Sequence, residues 1–335
     1  MLPQLLLFSP PYSPPQAKWP HQGSSWRRRL LLGGLEEEEA AEAGYSGCFL
    51  GGEGGEGCGG GGAGGGGRWV FCVLQKGRRD VMEDRYSALV GLHGDSNQAY
   101  FGIFDGHGGA KAAEFAADNL NKNIIDELKR RENYAAADDE IKQAVKSGYL
   151  TTDSEFLKRD LRGGACCVTA LIIRGNLVVS NAGDCRAVSS RGGVAEALTS
   201  DHRPSREDER DRIETLGGFV ECRNGVWRVL GLWLCLEALE ISTLNNGLLL
   251  NPRLKSLDLN KNMSFFCLLL MDYGISIRDS LQVSNQEAVD KARQWCINTN
   301  KPQPLTACRK LVDLAVSRGS TDDISVMLIQ LGRFC

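Results

Sequence analysis

The sequence has no run of about 20 apolar residues, the length a helix needs to cross a bilayer. Its most apolar stretch, 229–250, is interrupted by Glu237 and Glu240. Charge of one sign is also missing, because 39 Lys and Arg face 42 Asp and Glu for a net −3. That balance lacks the electrostatic footprint of a nucleic-acid binder. The 12 cysteines include no C-x-x-C pair and no Cys/His cluster at zinc spacing, which argues against a zinc module. Scattered in this way, they read as buried thiols of a reducing compartment, so cytoplasm or nucleus is expected. The start, MLPQLLLFSP, has no basic segment ahead of its leucines and is broken by proline, unlike a secretory signal. Lys18, Arg27, Arg28 and Arg29 would suit an organellar presequence, but the acidic run at 36–39 does not.

Glycine is in excess, and unevenly so: 15 of the 40 glycines fall between Gly44 and Gly67. Such a segment cannot bury apolar surface and is expected to be a flexible linker. Residues 1–67 therefore read as a disordered extension, first Pro-rich and then Gly-rich, with the folded domain in 68–335. No internal repeat is visible.

Beyond the linker, strand and helix signals mix. The β-branched and aromatic runs AYFGIFD (99–105) and CCVTALII (166–173) have strand length, and Cys166 and Cys167 would face opposite ways on any strand. NLVVSNAGDCRAVSS reads as a hairpin turning at Gly183 and Asp184. Residues 110–131 and 139–157 show helical spacing. Ser284 followed by Glu287 forms a capping box that opens a helix to about Cys296. A second helix, 304–317, stops before Gly319, and ISVMLIQL (324–331) closes the chain as a strand. An α+β domain with strands mostly in hairpins is expected.

Acidic residues recur beside glycine and at strand ends: Glu83 and Asp84 in MEDRYS, Asp105 in FDGHGG, Asp184 in NAGDCR, Asp322 and Asp323 in GSTDDIS. Oxygen-only donors suit the hard cations magnesium and manganese rather than zinc. Glycine next to the aspartate lets a backbone carbonyl approach the same ion.

In this order, the segments GRRDVMEDRYSA, YFGIFDGHGGAKAAEF, NAGDCRAV, LTSDHRPSREDERDRIETLGGFV, VSNQEAVD and LVDLAVSRGSTDDISVMLIQLG resemble the plant-type protein phosphatase 2C family, metal-dependent Ser/Thr phosphatases. The resemblance covers roughly 68–229 and 283–332. It implies a four-layer α-β-β-α sandwich, two antiparallel sheets face to face with helices on each. It implies two magnesium or manganese ions and a water bridging them as the attacking group. Matched motif by motif, Asp105 would bridge the ions, Gly106 would lend its carbonyl to one of them, and Asp322 would be a further ligand. Glu83 would hold metal-bound water and Asp184 would bind a third, weaker ion. Arg79 would fork onto the substrate phosphate, and His107 would protonate the leaving oxygen. Phosphoprotein substrates and a monomer are implied. Arg27–Arg29 followed by three leucines faintly resembles a docking peptide for a protein kinase.

From Leu230 to Gln282 the resemblance lapses. The family's GSLAVSRGIGD, W-x-I-A-E-P and SDGLWD are missing, and the last contains a principal metal aspartate. One back-translation of 231–240, read two bases on, gives SLAVSRGIG; 268–275 at the same offset gives SDGLWD, and 246–252 permits W-x-I-A-E-P. The interval thus reads as the family's core in a shifted frame. As written it has no matching alternation, so sheet register loses its specification there and the core is expected to be disrupted. Trp233, Leu234, Leu236, Phe265, Phe266 and the leucines at 268–270 have no evident sheet to receive them, and Asp272 lacks a neighbouring glycine. The competing expectation is a catalytically inactive binding module with the phosphatase fold.

Overall fold

The computed structural model describes residues 45–50, 70–131, 138–159, 161, 163–215, 218–223, 226–229, 252–259, 263–271, 283–297 and 302–334. Thirteen strands and five helices lie within them. In chain order the strands are β1 (Tyr45–Leu50), β2 (Val70–Gln75), β3 (Arg85–Val90), β4 (Ala99–His107), β5 (Gly164–Ile173), β6 (Asn176–Ala182), β7 (Arg186–Arg191), β8 (Val194–Ala197), β9 (Val220–Arg223), β10 (Val226–Val229), β11 (Arg253–Asp258), β12 (Met263–Met271) and β13 (Ile324–Ile329). The helices are α1 (Lys111–Arg131), α2 (Asp138–Leu157), α3 (Glu207–Thr215), α4 (Asn285–Cys296) and α5 (Pro304–Ser317).

Two antiparallel sheets carry the fold. One has six strands in the order β1-β2-β13-β12-β7-β8 and the other five in the order β11-β6-β5-β4-β3, while β9 and β10 pair apart from both. Period-two alternation decides the layers. In β2, Val70, Cys72 and Leu74 join Phe101 and Ile103 of β4 and Val168 and Ile172 of β5 in one core between the sheets. The intervening Phe71 and Val73 face α4 and α5, and Tyr100 and Phe104 face α1 and α2. These three buried clusters separate four layers, which is the expected α-β-β-α sandwich. Cys166 faces the inter-sheet core and Cys167 the helices.

The sequence-marked helices begin and end where their signals lie. The Ser284 hydroxyl accepts from the Glu287 amide and the Glu287 carboxylate accepts from the Ser284 amide, the full capping box. Gly319, just past α5, has φ +94°.

Three expectations need correction. NLVVSNAGDCRAVSS is not a hairpin: β6 pairs with β5 and β11 in one sheet, and β7 with β12 and β8 in the other. The chain changes layers at Gly183, where glycine is needed twice over: φ is +98° and a Cβ would overlap Cys166. The 230–282 interval also contributes strands. β11 pairs with β6, and β12 lies between β13 and β7 in the six-stranded sheet. That sheet is covered on both faces, and a central strand of such a sheet can be a continuous apolar run rather than an alternating one. MSFFCLLLM is such a run, and its backbone pairs on both sides, so Phe265, Phe266 and the leucines at 268–270 lie within a sheet. Trp233, Leu234, Leu236 and Asp272 lie outside the described residues. Finally, β1 falls inside the expected disordered extension yet pairs with β2 from Tyr45↔Gln75 to Leu50↔Val70. Arg27–Arg29 and the leucines after them lie outside the described residues.

Candidate metal and phosphate site

The inward parity of β4 runs through Ala99, Phe101 and Ile103 to Asp105. The strand thus delivers its carboxylate to the inter-sheet side just where apolar residues stop. Two other segments reach this end of the sandwich: the loop joining β2 to β3, and residues 321–323 leading into β13. They interlock closely. The Arg78 amide donates to the Thr321 carbonyl at 2.8 Å, and a Cβ on Gly77 would overlap the Asp322 backbone.

Asp323 fixes the loop. Its Oδ1 accepts from the Gly77 amide and its Oδ2 from the Glu83 amide, both at 2.7 Å. Asp84, buried, accepts from Ser325 Oγ at 2.7 Å. Burial first, then the charges of Asp323 and Asp322, push its carboxyl up to about 8 despite the Ser325 bond. Gly106 packs so tightly that a Cβ would lie 2.5 Å from the Glu83 carbonyl. A side chain at either glycine would part the loop from the strand end.

At the centre lies the Arg79 guanidinium. Its Nη1 donates to Glu83 Oε2 at 2.5 Å and to the Gly106 carbonyl at 3.1 Å, and its Nη2 donates to Asp322 Oδ2 at 2.7 Å. Burial opposes its charge, but Asp322, Glu83 and Asp105 outweigh that and raise its pKa. Four of the seven expected site residues thus meet through direct bonds, and Asp105 acts on them electrostatically. His107 is half-buried two residues on. Burial, then Arg79, lower its pKa to about 4, so the folded chain holds it as a neutral imidazole at pH 7.

Asp184 is set apart, at the turn where the chain changes sheets. Burial raises its pKa, with Asp201 adding to the rise and Arg203 and the Cys166 thiol opposing it. It is linked to Asp105 through Cys185: both carboxylates, after burial itself, push that thiol's pKa up. Arg186 and Arg203 hold Asp201 at 2.8 and 3.2 Å.

The donors facing this junction are carboxylates and one backbone carbonyl, which fits a hard divalent cation in kind. In number they fall short. Among the described residues, no three His, Cys, Asp or Glu side chains converge to hold an ion. Two of the expected ligands and the carbonyl instead share the guanidinium. Sequence reasoning singled out Asp84 and Asp323 without assigning them a role and overlooked Gly77 and Ser325. The Asp322-Asp323 doublet was the available signal, since only one of two successive carboxylates can face the junction while the other faces the backbone.

Comparison with known proteins places this fold in a family. Residues 74–324 match the family model for protein phosphatase 2C. Probable protein phosphatase 2C 25 of Arabidopsis thaliana is 54% identical over 83% of this chain and 68% of its own length. Probable protein phosphatase 2C 32 of Oryza sativa subsp. japonica is 52% identical over 79% and 66%. The chain thus spans about two thirds of the length of these relatives. Among solved structures, a serine-threonine phosphatase 2C from Toxoplasma gondii superposes with TM-score 0.60 at 22% identity, covering 78% of this chain and 95% of that one. A C. elegans sex determining protein gives TM-score 0.66 at 21% identity, covering 78% and 64%. At such identities these two speak for the fold alone.

Proposed function

The chain belongs to the protein phosphatase 2C family, a metal-dependent family generally using magnesium or manganese, and on that premise we propose that its site hydrolyses phosphoserine and phosphothreonine in proteins. The observation that carries this is the junction itself. A guanidinium, two carboxylates and a backbone carbonyl from three segments meet where Asp105 leaves the inter-sheet core.

Two ions would be held by Asp105, the Gly106 carbonyl and Asp322, with Glu83 orienting water and Asp184 serving a third, weaker position. Bound magnesium or manganese would supply Lewis-acid polarisation of the phosphoryl group and a water of lowered pKa. The protein's own part is positioning. Arg79 offers a planar pair of donors matched to two phosphate oxygens. His107 starts neutral; a phosphate dianion beside it favours the imidazolium, whose proton then serves the departing Ser or Thr oxygen. We place the protein as a monomer in cytoplasm or nucleus and the Arg27–Arg29 run with the three leucines after it as a place where a protein kinase docks.

A second reading is favoured by the incomplete donor set and by the bonds that Glu83, Gly106 and Asp322 already make to Arg79. In it the chain as written binds phosphorylated partners without turning them over. Assay of the full chain on a phosphothreonine peptide with manganese separates the two. Turnover abolished by chelator, and reduced more than about 100-fold in Asp105→Asn, supports hydrolysis. Peptide binding without phosphate release supports the second reading, and activity undiminished in excess chelator excludes the metal-dependent one.

A further inference from the structure

Arg78 stands out beside the junction. Its backbone is pinned by its own amide to the Thr321 carbonyl and by the preceding Gly77 amide to Asp323. Its side chain is exposed. Among the described residues its guanidinium has no hydrogen-bond or ion-pair partner, whereas Arg79, Arg85, Arg186 and Arg206 each hold a carboxylate. A long cationic side chain on an anchored backbone, one residue from Arg79, is a fixed positive charge at the rim. The Lys76 ammonium donates to the Arg79 and Asp80 backbone carbonyls at 3.2 and 3.4 Å, which brings a second cation to the same loop.

We propose that Arg78 determines specificity by pairing with a second anionic group on the substrate, borne by a residue neighbouring the phosphoserine or phosphothreonine. This rests on the phosphatase reading of the site. The chemistry it recognises is an acidic phosphopeptide, the second anion being a carboxylate or another phosphate. Arg79 is committed to the reacting phosphate, and its partners Glu83 and Asp322 surround it with negative charge that would repel an acidic peptide. Arg78 supplies the compensating attraction. Because the contact is exposed, it acts through encounter and KM, and salt screens it.

The test uses the full chain with manganese and three phosphothreonine peptides, flanked by glutamate, by a second phosphoserine, or by glutamine. The anionic peptides should exceed the neutral one about 5- to 10-fold in kcat/KM, through KM, which corresponds to ~1 kcal/mol. The preference should survive in Arg78→Lys, collapse or invert in Arg78→Glu, and shrink as salt is raised. A preference for only one anionic peptide identifies the anion read. Equal ratios in the parent and in Arg78→Glu would overturn the proposal. Hydrolysis of p-nitrophenyl phosphate, which has no flanking residues, reports separately on the phosphatase reading. Were it absent, fluorescence anisotropy of the same peptides would decide the role of Arg78 by the same ratios.

Discussion

Asp84 and Asp323 show how much of a site lies in residues that never touch its ligand. Asp323 is buried and takes two backbone amides, so Asp323→Ala leaves both donors without a partner. We expect a loss of roughly 2–4 kcal/mol in urea unfolding, with Arg79 displaced and activity falling more than stability alone explains. Asp84 makes a pH prediction. Its pKa rises from 3.8 to about 8 on folding. Across that window the folded chain keeps a proton that the unfolded chain has shed, so this group's contribution to stability falls as pH rises. Asp84→Asn removes the dependence. Relative to the parent, its stability should improve steadily between pH 5 and pH 8, and parallel pH profiles for the two proteins would refute the assignment. The glycine-aspartate motif was legible in sequence, because Asp-Gly at a strand end exposes both carboxylate and carbonyl. The bond from Arg79 to Asp322 was not, since it joins residues 243 apart.

Elements were legible where a local signal fixed them. The capping box at Ser284, the Pro at the start of α5 and the glycine after it bounded those helices without tertiary information. The NAGDC turn misled for a physical reason. Alternating strands on either side of a glycine look alike whether they pair with each other or cross to facing sheets. The 230–282 interval misled in another way, because its apolar run lacks alternation and yet its backbone takes the slot between β13 and β7. Fitting the slot is not supplying the ligand. Rebuilding the interval with the GSLAVSRGIGD and SDGLWD text of the shifted frame should raise manganese affinity, measured by calorimetry, and turnover of a phosphothreonine peptide by at least about tenfold. Equal affinity and turnover would mean that β11 and β12, as written, already complete the site.

At the scale of the whole molecule, stability rests on three stacked apolar cores, and β1 adds an edge strand beside β2. Deleting 1–44 should leave the urea midpoint unchanged. Deleting 1–67 removes β1 and bares the edge of β2, so it should lower the midpoint and promote association, since an unpaired edge recruits other chains. Turnover should survive both deletions, because the junction lies on the loop after β2, the end of β4 and the approach to β13. Equal midpoints for the two deletions would show that β1 contributes nothing. The sequence by itself determined the donors, the limits of the capped helices and the family text that orders them, because side-chain chemistry and period are local. Only the tertiary structure decided which strands share a sheet, that an apolar run from the unfamiliar interval serves as a central strand, and that Arg79 draws Glu83, Gly106 and Asp322 together. Local periodicity states that a face must be buried; what it is buried against depends on packing among segments far apart in the chain.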